Sequence, residues 1–226
     1  MTEFIAGIDE AGRGPIIGPL VMAVAAITKD KHETLRSFGV KDSKLLSEKQ
    51  REEIFKAIEH MISFELVIIQ PSEIDDAVNS QSYNLNWLEA DKAAALLNKL
   101  DVKLDNNIVE TLIDCPSTNI SAYKAYFQKS VDNKDIKLMV EHKADLHHLI
   151  VGAASIIAKV TREKELAKLK RKLKIDFGSG YPADPKTKEF LKDNYANPLY
   201  KNIIRKSWAT YKTLANKNNQ SSLDGF

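Results

Sequence analysis

An aspartate and a glutamate stand side by side at Asp9 and Glu10, two residues before Gly12-Arg13-Gly14 in the stretch GIDEAGRGPIIGP. Two further acids, Asp114 and Asp145, border short apolar runs deeper in the chain. Carboxylates are hard oxygen donors that suit Mg²⁺ or Mn²⁺. Gathered without a cation they repel one another, so a divalent ion would explain their company. Acids beside a glycine-flanked arginine point to a metal, a phosphate or both. The same residues are also compatible with solvated loop acids at an ordinary strand-to-turn transition. Spacing alone leaves both readings open.

Positioning these acids falls to the elements before them. Phe4 to Ile8 and Leu20 to Ile27 read as buried strands separated by a Gly/Pro-rich turn. Phe64 to Ile69, Ile108 to Ile113 and Leu138 to Val140 read as further strands. Ser47-Glu48-Lys49-Gln50 forms a capping box ahead of Ile54, Phe55, Ile58 and Met61 at helical spacing. Helices are also expected over Leu85 to Leu100 and Leu149 to Leu173. This alternation predicts an α/β fold, a mixed sheet covered by helices. In such sheets ligands collect beyond the strand ends. Asp9 and Asp114 each follow a strand directly, and Asp145 lies between a strand and a helix. Neighbouring strand residues face opposite ways, so Asp9 and Glu10 share a site only if the strand ends there. Gly12 and Gly14 supply that ending.

The division expected along the chain is a catalytic domain over 1–177, a helical section over 178–215 opened by Gly178-Ser179-Gly180-Tyr181-Pro182, and a frayed polar tail over 216–226. Hydrophobic residues make up 43% of the 226 and charged residues 28%, the balance of a folded soluble chain. With 33 Lys+Arg against 31 Asp+Glu, global charge says nothing of nucleic acid. Local charge does, because Asn194 to Leu223 contains no acid but carries Lys201, Arg205, Lys206, Lys212 and Lys217. A lone Cys115 excludes an intramolecular disulfide and fits a reducing, cytoplasmic setting. No apolar run approaches the ~20 residues that span a bilayer.

Several segments together carry a resemblance to a known family. GIDEAGRGPIIGP, KDSKLL at Lys41 to Leu46, HKADLHHLIVGAASIIAKVTRE at His142 to Glu163 and GSGYPADPKT at Gly178 to Thr187 occur in the order found in ribonuclease HII. YNLNWLEADKAAALLNKL and SWATYKTL resemble its archaeal branch. The resemblance implies a ribonuclease H-like fold, two divalent ions (Mg²⁺ or Mn²⁺), and Asp9, Glu10, Asp114 and Asp145 as catalytic carboxylates. The substrate implied is an RNA-DNA hybrid or a ribonucleotide embedded in duplex DNA, cut on its 5′ side to leave a 3′-hydroxyl and a 5′-phosphate. Gly12, Arg13, Gly14 and Tyr181 correspond to the family's readers of the 2′-hydroxyl. Asp42, Ser43 and Lys44 correspond to its phosphate-contacting loop, with Lys143 and Arg162 as further phosphate contacts. Enzymes of this branch generally act alone, so a monomer is expected. Three close histidines, His142, His147 and His148, are read as surface or packing residues, not zinc ligands.

The C-terminal QSSLDGF adds one more feature. Gln220, Leu223 and Phe226 have a Q-x-x-L-x-x-F spacing that resembles the sliding-clamp (PCNA) interaction motif, in which a short helical turn seats the Leu and the aromatic in one apolar pocket. The usual second aromatic is absent.

Overall fold

The computed structural model describes residues 2–40 and 43–223, without the side chains of Lys44 and of residues 217–223. Asp42, Phe226 and the side chains of Lys44, Gln220 and Leu223 therefore lie outside the described residues. Strands β1 (Phe4–Ala11), β2 (Leu20–Thr28), β3 (Ser63–Ile69), β4 (Ile108–Asp114) and β5 (Lys137–Glu141) form one sheet in the order β3-β2-β1-β4-β5. The helices are α1 (Thr34–Ser37), α2 (Glu48–Ile58), α3 (Pro71–Asn79), α4 (Leu85–Lys103), α5 (Ile120–Ser130), α6 (Ala144–His147), α7 (Leu149–Leu173), α8 (Pro185–Asn194) and α9 (Ala209–Leu223). The mixed sheet flanked by helices is the architecture expected from the sequence. The Ser47–Gln50 capping box is present in both its halves at the start of α2.

The chain forms two compact units, and both are discontinuous in sequence. The first contains residues 1–11, 21–68 and 85–163; the second contains 12–20, 69–84 and 164–226. This differs from a sequential division at residue 178. The cause is that Ile16 and Ile17 are core residues of the second unit, clustering with Leu166, Phe177, Phe190 and Ile204. A bridge between Ile17 and Ile204 and the bond from Gly18 N–H to the Ile203 carbonyl (2.8 Å) fasten the early loop to the late chain.

In the first unit, β1 runs antiparallel to β2 and parallel to β4, and β4 runs parallel to β5. Val21, Ala23 and Ala25 of β2 share a core cluster with Ile150, Val151 and Ala154 of α7. Gly7 in β1 permits the close approach of strand and helix. A Cβ there would lie 2.5 Å from the Ile150 carbonyl carbon and the Val151 nitrogen. Backbone atoms cannot swing aside as a flexible side chain can, so glycine is required on steric grounds.

Helix α9 continues to Leu223, where the sequence led us to expect a frayed segment from Asn216. No glycine or proline interrupts Ala209 to Leu223, so nothing in that stretch forces the helix to stop.

Candidate active site

Strand β1 does not end before its acids. Pairing with β2 continues through Asp9↔Ala23, Glu10↔Met22 and Ala11↔Val21. Pairing with β4 stops at Ile8↔Ile113. The two parallel strands therefore lose their pairing just where Asp9 and Asp114 follow, each at a carboxyl end. Asp9 is buried while Glu10 and Asp114 are half-buried, as alternation along a pleated strand dictates. Burial raises the Asp9 carboxyl well above its usual range, and the negative charges of Glu10 and Asp114 push it further the same way. Hydrogen bonds from Ser155 and the Glu10 amide (2.7 Å) oppose that rise.

The fourth acid is positioned through the third. Asp114 Oδ1 accepts from the Ala144 amide at 3.1 Å, tying the end of β4 to the first residue of α6. The next residue is the buried Asp145. Lys143 enters that turn with left-handed backbone (φ 59°) and an exposed side chain. The acids are thus drawn into one region in linked pairs. Among the described residues, no three acidic, imidazole or thiol side chains converge as a single-ion cage would require. Their chemistry nonetheless fits a hard divalent cation: oxygen-only donors whose mutual repulsion already disfavours the Asp9 charge.

A polar chain supports Asp9 from behind. Ser155 lies one side on Asp9 and the other on Ser43, whose hydroxyls are 2.8 Å apart. Lys159 donates to Ser43 and, at 3.1 Å, to Ser155. Arg51 donates to the carbonyls of Ser43 (3.1 Å) and Leu46 (2.5 Å) and pairs with Glu163. Ser43 is 0% exposed, which departs from the expected phosphate-facing hydroxyl. Its oxygen lies against Ser155 and Lys159 of α7. Arg162 is likewise buried.

The second unit builds the glycine-arginine-glycine loop. Arg205 is 0% exposed and aims its fork at loop carbonyls. It donates to Gly12 O at 2.6 Å, Arg13 O at 2.9 Å and Gly18 O at 2.9 and 3.1 Å. Trp208 stacks on that guanidinium (4.9 Å to the ring centroid) and donates its indole N–H to Gly14 O at 3.0 Å. Arg205 is therefore a structural residue of the loop and not one of the exposed phosphate-facing cations expected of the basic stretch. Lys201, Lys206 and Lys212 are exposed.

Tyr181, 44% exposed, packs its ring against Gly14, where a Cβ would sit 3.5 Å from Cε1. The turn that carries Tyr181 is stitched by the end of its own motif. Asp184 accepts from the Ser179 amide (2.5 Å) and hydroxyl (2.6 Å) and caps α8 through the Lys186 amide (3.0 Å). The Ser179 bonds hold its carboxyl down at about 2. Gly180 N–H donates to Thr187 Oγ1 at 3.0 Å, and the Gly180 carbonyl accepts from Ile16 (2.8 Å) and Ile17 (3.2 Å).

The histidines do not converge. His142 Nδ1 lies 3.2 Å from the Cys115 carbonyl and His148 Nε2 lies 2.9 Å from Glu141 Oε1, while His147 is exposed. Sequence reasoning missed Ser155, Lys159, Arg51 and Trp208. The spacing of Ser155 and Lys159, one helical turn apart, was the available signal for the first two. Nothing local in the sequence marks Arg51 or Trp208, whose partners lie far along the chain.

The family model for ribonuclease HII matches residues 6–211. The ribonuclease HII of Pyrococcus horikoshii is 42% identical over 226 residues, covering 98% of each chain. The crystal structure of ribonuclease H2 from Pyrococcus horikoshii OT3 superposes with a TM-score of 0.83 at 38% identity, over 95% of this chain and 98% of that one. An RNase HII from Archaeoglobus fulgidus, solved as a complex with PCNA, superposes with a TM-score of 0.80 at 35% identity, over 93% and 96%.

Proposed function

The chain belongs to the ribonuclease HII family, endoribonucleases of ribonuclease H type, and from that premise we propose that it cuts duplex DNA on the 5′ side of an embedded ribonucleotide, as well as the RNA strand of RNA-DNA hybrids. The products are a 3′-hydroxyl and a 5′-phosphate. This reading is supported by the electrostatic contact of Asp9 with Glu10 and Asp114 at the ends of β1 and β4, and by the bond from the Ala144 amide to Asp114, which leads to Asp145 at the start of α6. Asp9, Glu10, Asp114 and Asp145 would hold two divalent ions through carboxylate oxygens alone. When bound, such a pair neutralises charge at both the attacking and leaving oxygens of an in-line displacement.

Each other residue has a positioning task. Ser155 orients Asp9, and the Ala144 amide orients Asp114. The 2′-hydroxyl is the only chemical difference between a lone ribonucleotide and its DNA neighbours, so the enzyme must read that group. Gly12, Arg13 and Gly14 offer backbone to it, and Tyr181 offers a phenol with donor and acceptor capacity. Lys143, Lys201, Lys206 and Lys212 are exposed cations available to phosphates.

The tail supplies a partner. Gln220, Leu223 and Phe226 would dock a sliding clamp, a reading favoured by the PCNA complex of the Archaeoglobus relative and by the helical backbone of Gln220 to Leu223. Tethering raises effective concentration without touching the chemistry. Equal clamp affinity for the full chain and for a variant ending at Asn219 would remove this assignment. For the activity, the test is a duplex carrying one ribonucleotide, incubated with and without Mg²⁺. A single 5′-side cut that needs the ion supports the proposal. Cleavage of long hybrids with no cut at the lone ribonucleotide would refute it.

A further inference from the structure

The carbonyls of Gly12, Arg13 and Gly14 are all held from the same direction, by two side chains. Arg205 takes Gly12 O (2.6 Å) and Arg13 O (2.9 Å), and Trp208 takes Gly14 O (3.0 Å). A trans peptide is planar, with its C=O and the following N–H pointing opposite ways. Fixing the Gly12 and Arg13 carbonyls toward Arg205 therefore turns the amides of Arg13 and Gly14 away from it. The third peptide, Gly14–Pro15, has no N–H to present. Gly14 is exposed and packs on Tyr181, whereas Arg205 behind the loop is fully sealed.

We propose that Arg205, braced by Trp208, is a positioning residue that locks the Arg13 and Gly14 amides into an outward-facing donor pair toward the ribose. Successive backbone N–H groups held on one side form a preorganised site for an oxygen acceptor. Arginine suits the task because its planar fork carries five donors in fixed directions, and here four contacts reach three carbonyls. Lysine's three donors radiate from a single nitrogen and lack the fixed, spread directions that reach Gly12, Arg13 and Gly18 together. A buried cation also carries a large desolvation cost, which a residue serving only as core filler would have no reason to meet. Trp208 lowers that cost by stacking on the guanidinium. The remaining donor direction, to Gly18 O, closes the loop at its far end.

This inference rests on the reading of the loop as the ribose reader, so its test needs one measurement independent of activity. Arg205→Lys and Trp208→Phe would be compared with the unsubstituted chain for single-turnover cleavage of a duplex with one ribonucleotide, for KM, and for backbone ¹⁵N order parameters at Arg13 and Gly14. A lock predicts rigid amides, with order parameters near ~0.85 that fall toward ~0.6 in Arg205→Lys. The same variant should lose about 100-fold in kcat, with KM changed less than about threefold, because the lost alignment is felt at the reacting sugar. Trp208→Phe keeps a ring under the guanidinium but loses the indole N–H, and about a tenfold kcat loss is expected without a change in melting temperature. If Arg205→Lys does not fold, Trp208→Phe alone decides. Unchanged order parameters in the folded variants would overturn the lock, as would kcat losses no larger than the fraction unfolded. Loosened amides in a chain inactive on the lone ribonucleotide would leave the lock standing and overturn the ribose reading instead.

Discussion

The two units place charge inside the protein for opposite reasons. In the first, Asp9 is buried beside Glu10 and Asp114, so like charges crowd together and its ionised form is disfavoured. In the second, Arg205 is buried against neutral carbonyls that its donors satisfy. Nothing positive offsets the charge of Asp9 among the causes that shift it; only hydrogen bonds from Ser155 and the Glu10 amide do. The arginine is already compensated by backbone dipoles and by Trp208. One buried charge is thus disfavoured by its neighbours, and the other is satisfied as part of the scaffold.

Removing each charge should separate the two cases by sign. Asp9→Asn is expected to lower kcat by at least about 10³, since an amide is a poor ligand to a hard cation. In the absence of divalent ions it should also raise the melting temperature, because the disfavoured carboxylate is gone. Arg205→Met should lower both activity and stability, the latter by about 2–4 kcal/mol, as buried carbonyls lose their donors. Enzyme assays and urea titration of both variants would check this. Stability changes of the same sign would erase the contrast.

Tyr181→Ala comes next, with an expected kcat loss of about 10² and duplex affinity within a few-fold, as positioning at the reacting sugar implies. A loss confined to binding would make Tyr181 a docking residue only.

How much of this was legible in the sequence follows from the range of the interactions. The strands and the helices α2, α4 and α7 were readable through local periodicity, the Leu149–Leu173 helix end to end, whereas α3 and α5 drew no expectation. The acids stood out as candidates because each closes or borders an apolar run. Strand β1 ran three residues past its expected end, since Asp9 and Glu10 pair with β2 despite their polarity. What local pattern could not show was the contact of Arg205 with a loop some 190 positions earlier, at separations of 187 to 193 residues. A lysine-rich neighbourhood made Arg205 look like one more surface cation. The contacts of Ser43 were equally out of reach of local pattern, because Ser155 and Lys159, which approach its hydroxyl, lie more than a hundred positions later.

That correction sharpens the expectation for salt. Neutralising Lys201 and Lys206 together should flatten the slope of log affinity against log salt by roughly 2, with the fold intact. An unchanged slope would turn this stretch away from the substrate. The smallest effect expected is at Asp184, whose Ser179 bonds depress its carboxyl to about 2. A depressed folded pKa means the stabilisation is fully present above the ordinary carboxylate value near ~4 and is lost as pH falls toward about 2. The melting temperature of Asp184→Asn should therefore lie slightly below that of the unsubstituted chain at neutral pH. The gap should close on acidification through that window, and a gap independent of pH would mean the carboxylate's charge is irrelevant there.

The claim that the buried acids await a cation is tested most directly by melting the chain and Asp9→Asn over a series of Mg²⁺ and Mn²⁺ concentrations, with no substrate present. An ion that binds only the folded state stabilises it by about 2.7 kcal/mol at a hundred times its dissociation constant. The unsubstituted chain is expected to start lower and climb steadily with either ion, whereas Asp9→Asn starts higher and stays nearly flat. Parallel curves for the two proteins, or no response from the unsubstituted chain, would contradict the account.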